Sequence, residues 1–146
     1  MRIALVVLAL AACSKPSSHR PTVDEIGKRL PGTCEEVSGL HMCRSDTIDV
    51  TVARDKKDKS ADPHVEFVTI TIRTPTGEAA VAMLEPILDG FVPPGILDGI
   101  RNGLSGSTAH AFKPGAHLLI DNMLLSAGTA TFGDLPTMYM VELWYR

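Results

Sequence analysis

Thr47-Ile-Asp-Val-Thr-Val-Ala-Arg54 and His64-Val-Glu-Phe-Val-Thr-Ile-Thr-Ile-Arg73 decide the fold class of this chain. In the first, Ile48, Val50 and Val52 alternate with Thr47, Asp49 and Thr51. In the second, Val68, Ile70 and Ile72 share one face. Successive strand side chains point to opposite sides of a sheet, so this alternation describes strands with one dry and one wet face. Between them, Arg54-Asp-Lys-Lys-Asp-Lys-Ser-Ala-Asp-Pro63 is dense in both signs of charge, and 47–73 is expected to be an antiparallel hairpin with a solvated connection. Contact of its four basic residues with anionic lipid headgroups is the weaker reading beside a plain solvated loop, because Asp55, Asp58 and Asp62 interleave with them and cancel most of their field.

Downstream the period changes. Ala80, Leu84, Ile87, Leu88 and Phe91 follow helical spacing behind Thr76 as cap, with Pro86 expected to kink the helix or break it into two pieces. Pro93-Pro94 opens a second helix with Ile96, Leu97, Ile100 and Leu104 as its apolar face. Ile87-Leu-Asp-Gly90 and Ile96-Leu-Asp-Gly99 repeat one tetrapeptide, too little for a repeat architecture. Residues 103–115 read as a loop. Strands are then expected over 116–121, 125–132 and 138–145, the last apolar on both faces and therefore central or doubly covered.

Upstream, Thr22 and Glu25 form a capping box ahead of Val23, Ile26 and Leu30, a short docking helix that Pro31-Gly32 stops. Leu40–Arg44 reads as a brief strand. The expected fold is α+β: a mainly antiparallel sheet of about five to six strands, with the short N-terminal helix and a helix pair packed on one face.

The chain begins Met1-Arg-Ile-Ala-Leu-Val-Val-Leu-Ala-Leu-Ala-Ala-Cys13. Its apolar run is far shorter than the roughly 18 residues a spanning helix needs, and Arg2 gives it the positive end of an export signal. Leu10-Ala11-Ala12-Cys13 resembles the lipobox of bacterial lipoproteins. The resemblance covers this segment only, and the rest of the chain suggests no family. It implies cleavage between Ala12 and Cys13, a diacylglycerol thioether on Cys13, and acylation of the new amino terminus. Ser14 after that cysteine resembles the outer-membrane class, facing the periplasm. Residues 1–12 are then the signal peptide, 13–21 the lipidated cysteine with a flexible tether, and 22–146 one globular domain. Ser14-Lys-Pro-Ser-Ser-His-Arg-Pro21, the polar part of that tether, reaches roughly 25 Å when extended.

Loss of Arg2 takes the net charge of the 146-residue chain from −3 to −4, and no basic stripe offers a footprint for nucleic acid. With Cys13 assigned to lipid, Cys34 and Cys43 remain as an even pair in an exported protein, where a disulfide is the expected state. Closing so short a loop contributes on the order of 2–3 kcal/mol in the chain-entropy model. A metal site on Cys34, Cys43 and His41 is the weaker reading: the spacing of structural zinc sites and a fourth ligand are both missing.

Chemical motifs are scarce. Gly103-Leu-Ser-Gly-Ser107 ends in serine where a hydrolase elbow needs glycine, and it follows a helix where the elbow follows a strand, so Ser105 with His110 is no nucleophile–base pair. His64-Val-Glu66 lacks the partner motif of zinc deaminases. The five histidines show no ligand spacing, no glycine-rich run cradles a phosphate, and Glu35-Glu36 reads as exposed carboxylates. No cofactor and no metal are expected. The reading is a lipid-anchored envelope protein, an interaction or docking module for an envelope protein or cell-wall partner. An enzyme is the less favoured class. The alternative is a periplasmic carrier or sensor of a small apolar ligand, with the helix pair as a movable cover and Met138 and Met140 as adaptable lining.

Overall fold

The computed structural model describes residues 18–105, 118–131 and 133–146. Cys13, Ser14, the signal peptide, His110 and His117 lie outside the described residues. In chain order the elements are α1 (Val23–Gly27), β1 (Thr33–Val37), β2 (Leu40–Arg44), β3 (Ile48–Arg54), β4 (Val65–Arg73), α2 (Gly77–Leu88), α3 (Pro94–Ser105), β5 (Leu118–Ile120), β6 (Met123–Ala130) and β7 (Met138–Tyr145). The strands form one sheet in the order β1-β2-β3-β4-β7-β6-β5, antiparallel at each pairing. The α+β class and the antiparallel sheet are as expected.

The strand count is not. The sheet has seven strands rather than five to six, and the additional one is β1. Each of its residues is exposed, so Thr33-Cys-Glu-Glu-Val37 carries no apolar alternation by which a strand could be read. Its pairing comes from the turn instead. Ser38 and Gly39 have φ of 53° and 80°, the two positive values of a type I′ turn, whose twist matches that of the flanking strands. The opposite edge repeats the device: Asp121 and Asn122, with φ of 47° and 65°, join β5 to β6.

Register builds two faces. On the inner face Val52, Val68, Leu143 and Leu125 lie in one row across β3, β4, β7 and β6, and Val50, Ile70 and Val141 in the next. All seven of these side chains are buried. The helices lie over this face: Ala80, Leu84, Ile87 and Leu88 of α2 and Ile96, Ile100 and Leu104 of α3 join the same core, with Ile26 of α1. Each such valine, leucine or isoleucine contributes about 1.5–3 kcal/mol when fully buried. β7 lies centrally, between β4 and β6, as its two apolar faces suggest.

α1 has its capping box, with Thr22 Oγ1 accepting from the Glu25 N–H and the Glu25 carboxylate accepting from the Thr22 N–H. Thr76 caps α2 through the Ala79 N–H. α2 runs unbroken through Pro86 to Leu88, where a kink or break was expected. Buried Leu84, Ile87 and Leu88 on both sides of the proline hold the helix together against the one lost hydrogen bond. Its last carbonyls are satisfied from outside, since the Arg29 guanidinium donates to Ile87 O and Asp89 O while lying 3.8 Å over the Phe91 ring.

α3 sits close on the sheet because it presents glycine. A Cβ on Gly103 would lie 2.8 Å from both Ala127 Cβ and Ala127 O, and one on Gly99 2.6 Å from Leu125 Cδ2. Ala127 O belongs to strand backbone and cannot rotate aside. Gly103→Val is therefore expected to lower stability by about 1–3 kcal/mol through overpacking, against a propensity gain below 1 kcal/mol. Urea unfolding should show a lower midpoint with an unchanged slope.

Candidate functional site

The register places the Ser38-Gly39 turn, the Arg54–His64 connection, the Asp121-Asn122 turn and the C-terminal Arg146 at one end of the sheet. The N-terminal chain joins the body at this end. The His19 N–H donates to Gly90 O, the Arg20 guanidinium to Val65 O and Asp55, and Thr22 pairs with His64. Residues 19–21, read from sequence as tether, thus hydrogen-bond to the folded body.

At this end, on the inner face, a cleft of 640 Å³ opens between α1, the β1–β2 hairpin and the Ala61-Asp62-Pro63 wall. Cys34 and Cys43 are direct cross-strand partners and form the expected disulfide. They differ in setting: Cys34 is exposed and lines the cleft, whereas Cys43 is fully buried. Two residues along each strand, on the same face, Glu36 pairs with His41. Their contact is 2.8 Å, from His41 Nδ1 to Glu36 Oε1. A carboxylate only accepts, so Nδ1 carries the hydrogen and Nε2 is left to face Cys43 Sγ, 3.4 Å away. α1 closes over the ring at a glycine; a Cβ on Gly27 would lie 3.3 Å from His41 Nε2. The result is a carboxylate–imidazole–sulfur line ending on a disulfide.

The ligand atoms of Cys34, His41 and Cys43 all lie within 4.8 Å of one another. Both sulfurs are joined, however, and a disulfide sulfur is a poor ligand beside a thiolate. The geometry therefore presents sulfur chemistry before metal chemistry. Ser105 ends α3 with its hydroxyl donated to Arg101 O. His64 is held by Asp58 at 2.7 Å, away from Glu66 as a partner. Sequence reasoning missed the Glu36–His41 contact. The signal was present, because a two-residue Ser-Gly turn between Val37 and Leu40 forces Glu36 opposite His41 and Cys34 opposite Cys43.

The outer face carries a second feature at the same end. Val37, Leu40, Ala53, Phe67, Trp144, Leu124 and Leu119 are successive partners across all seven strands, one apolar row spanning the sheet. Phe67 and Trp144 stack at 4.5 Å between ring centroids, and the two ends of the row are open, with Val37 41% and Leu119 62% exposed. The helices pack on the opposite face.

The chain matches no family model, no curated protein and no solved structure. Among the described residues no helix is long and apolar enough to cross a membrane.

The cleft's third wall depends on one carboxylate. Asp58 accepts from the His64 N–H, the Ser60 N–H and the His64 ring, and these bonds, the His64 N–H first, hold its pKa far below the usual carboxylate range. A pKa lowered by folding stabilises the fold above the ordinary carboxylate value, and that contribution is lost as pH falls below it. The thermal midpoint is therefore expected to decline below about pH 4, and to decline less steeply in Asp58→Asn. Calorimetry across that range checks it; equal slopes in the two proteins would assign the acid sensitivity elsewhere.

Proposed function

We propose that this protein is a lipid-anchored cell-envelope protein, held through Cys13 at the periplasmic face of the outer membrane, whose body is an interaction module. The observation that carries the docking reading is the apolar row at the end of the sheet where residues 18–22 join the body. Cys13 lies five residue steps before Ser18, a reach of about 16 Å when extended. With Cys13 in the bilayer, that end of the sheet stays beside the lipid, and the surface the row meets is the bilayer itself. Trp144 is a side chain suited to headgroup depth, and Phe67 adds apolar area beside it. Lys56, Lys57 and Lys59 are exposed in the adjoining connection. Asp55 and Asp58 are drawn inward by Arg20, His64 and backbone N–H groups. A lysine near an anionic surface adds about 1 kcal/mol.

The carrier reading has less behind it. Where a movable cover would open, Leu84, Leu88, Ile96 and Ile100 are fully or almost fully buried against the strands.

Trp144 is the sole tryptophan, so its fluorescence reports on the row. Two experiments separate the anchor from the docking. Full-length protein is expected to be acylated and cut between Ala12 and Cys13, and Cys13→Ser to be neither; a Cys13→Ser protein still cut at the same bond would refute the anchor. Purified Cys13→Ser is expected to shift its Trp144 emission to the blue on phosphatidylethanolamine–phosphatidylglycerol vesicles, and Leu119→Asp with Leu124→Asp should abolish the shift. An unmoved spectrum, with a photocrosslinker at Leu119 capturing one envelope protein in intact cells, would replace the bilayer by that protein as the docking partner.

A further inference from the structure

The Cys34–Cys43 disulfide has features that a purely structural crosslink does not need. One of its cysteines, Cys34, lines a cleft, while the other, Cys43, is buried. Its two sulfurs are unequal, one on an exposed residue and one on a buried residue. An imidazole nitrogen lies 3.4 Å from the buried sulfur, oriented by a carboxylate at 2.8 Å, and α1 approaches that ring at Gly27, where a Cβ would make a tight contact of 3.3 Å with Nε2. Nucleophile activation on unrelated folds uses this arrangement: a reacting atom, a base beside it, and a third group that fixes the base's tautomer.

We propose that Cys34–Cys43 is a thiol–disulfide exchange site that accepts two electrons from a dithiol, with His41 as its acid and base and Glu36 as the residue that positions His41. The inference stands independently of the docking reading. In the first step a thiolate of the dithiol enters the cleft and attacks Cys34 Sγ, the accessible sulfur. A bond forms between the incoming sulfur and Cys34 Sγ, the Cys34–Cys43 bond breaks, and its electron pair leaves on Cys43 Sγ. The His41 ring, carrying both protons, delivers the Nε2 proton to that sulfur, while Nδ1 stays on Glu36. In the second step the other thiol of the reductant, deprotonated, attacks its own sulfur in the mixed disulfide and expels Cys34 as thiolate, which takes up the released proton. The dithiol becomes a disulfide and the protein holds two thiols. In the reverse direction neutral His41 takes the proton from Cys43, which then attacks Cys34 Sγ in the mixed disulfide.

The asymmetry is the chemical content. An attack at Cys34 makes Cys43 the leaving group, and Cys43 is the sulfur with the proton donor. An attack at Cys43 would need entry to a fully buried residue and would expel the sulfur that is not the hydrogen-bond contact of His41. The charged groups that face His41 are Glu36 of β1, Asp24 and Lys28 of α1, Arg54 of β3 and Asp62 of the connection. Arg54 lies 4.0 Å from the far oxygen of Glu36, so the carboxylate is itself held from behind.

Dithiothreitol is the probe, and trapping of free thiols with a maleimide of high mass gives the rate of reduction of the purified full chain between about pH 5 and 9. His41→Gln keeps the cysteines and much of the side-chain volume. It is expected to slow reduction about a hundredfold at the acid end of that range and by less at the alkaline end. Glu36→Gln should displace the pH profile along the axis while the disulfide still forms. Reaction of Cys43→Ser with oxidised glutathione should leave glutathione on Cys34, and Cys34→Ser should react far more slowly at Cys43. Parallel pH profiles for wild type and His41→Gln, or glutathione carried faster by Cys43 than by Cys34, would overturn the proposal and leave the disulfide a structural crosslink.

Discussion

The pairing of β4 with β7 is the constraint on which the remaining structure depends. It joins Phe67–Arg73 to Met138–Trp144, residues from the two halves of the chain. On one side of the seam a meander runs β1 to β4; on the other, β5 to β7. Neither half alone has a closed core, because the rows Val52–Val68–Leu143–Leu125 and Val50–Ile70–Val141 cross the seam. The helix pair follows from the same constraint. The chain leaves β4 at one end of the sheet and must reach β5 at the far edge before β7 can return to the centre. α2 and α3 make that crossing while covering the apolar rows. Such a topology closes its decisive contacts late, since the loop entropy of the crossing is spent before the β4–β7 pairs form.

The edges obey a different economy. β1 and β5 contribute little to the core; β1 is exposed along its length and Leu118 and Leu119 are each 62% exposed. Two-residue turns with positive φ at both positions hold them on, and β1 has the disulfide in addition. Chemistry is tolerated at such places because few core contacts depend on them. The histidine and the cleft-lining sulfur lie on the β1–β2 hairpin, and α1, β3 and the 61–63 segment complete the cleft around them.

How much of this was legible in the sequence follows from what each element owes to local pattern. β3 alternates over Ile48–Val52 and β4 over Val68–Ile72, and β7 is apolar on both faces, so their existence and the central place of β7 could be read. Thr22 and Thr76 are caps with an internal mechanism, and both act as read. β1 was invisible because Thr33-Cys-Glu-Glu-Val37 has no apolar period, its strand state being imposed by a turn and a partner. Pro86 misled for the opposite reason: the local rule against proline in a helix is real, but three buried side chains around it weigh more. The disulfide partners followed from parity of cysteines. The Glu36–His41 contact required the turn register, which composition does not carry.

That register also ties the two faces of the site end to each other. Along β2, Leu40 and Met42 lie on the outer face and His41 and Cys43 on the inner one. A slip of one residue at the Ser38-Gly39 turn would exchange the faces of β2, turning His41 outward and bringing Met42 or Arg44 opposite Cys34. Cys34 and Cys43 would then no longer stand opposite, and the apolar row would lose Leu40. The Cys34–Cys43 bond excludes that slip while it is closed. Opening it leaves the hairpin to its turn and to five exposed residues of β1, so the chemistry of the inner cleft and the order of the outer row at its Val37–Leu40 end are coupled through one short hairpin.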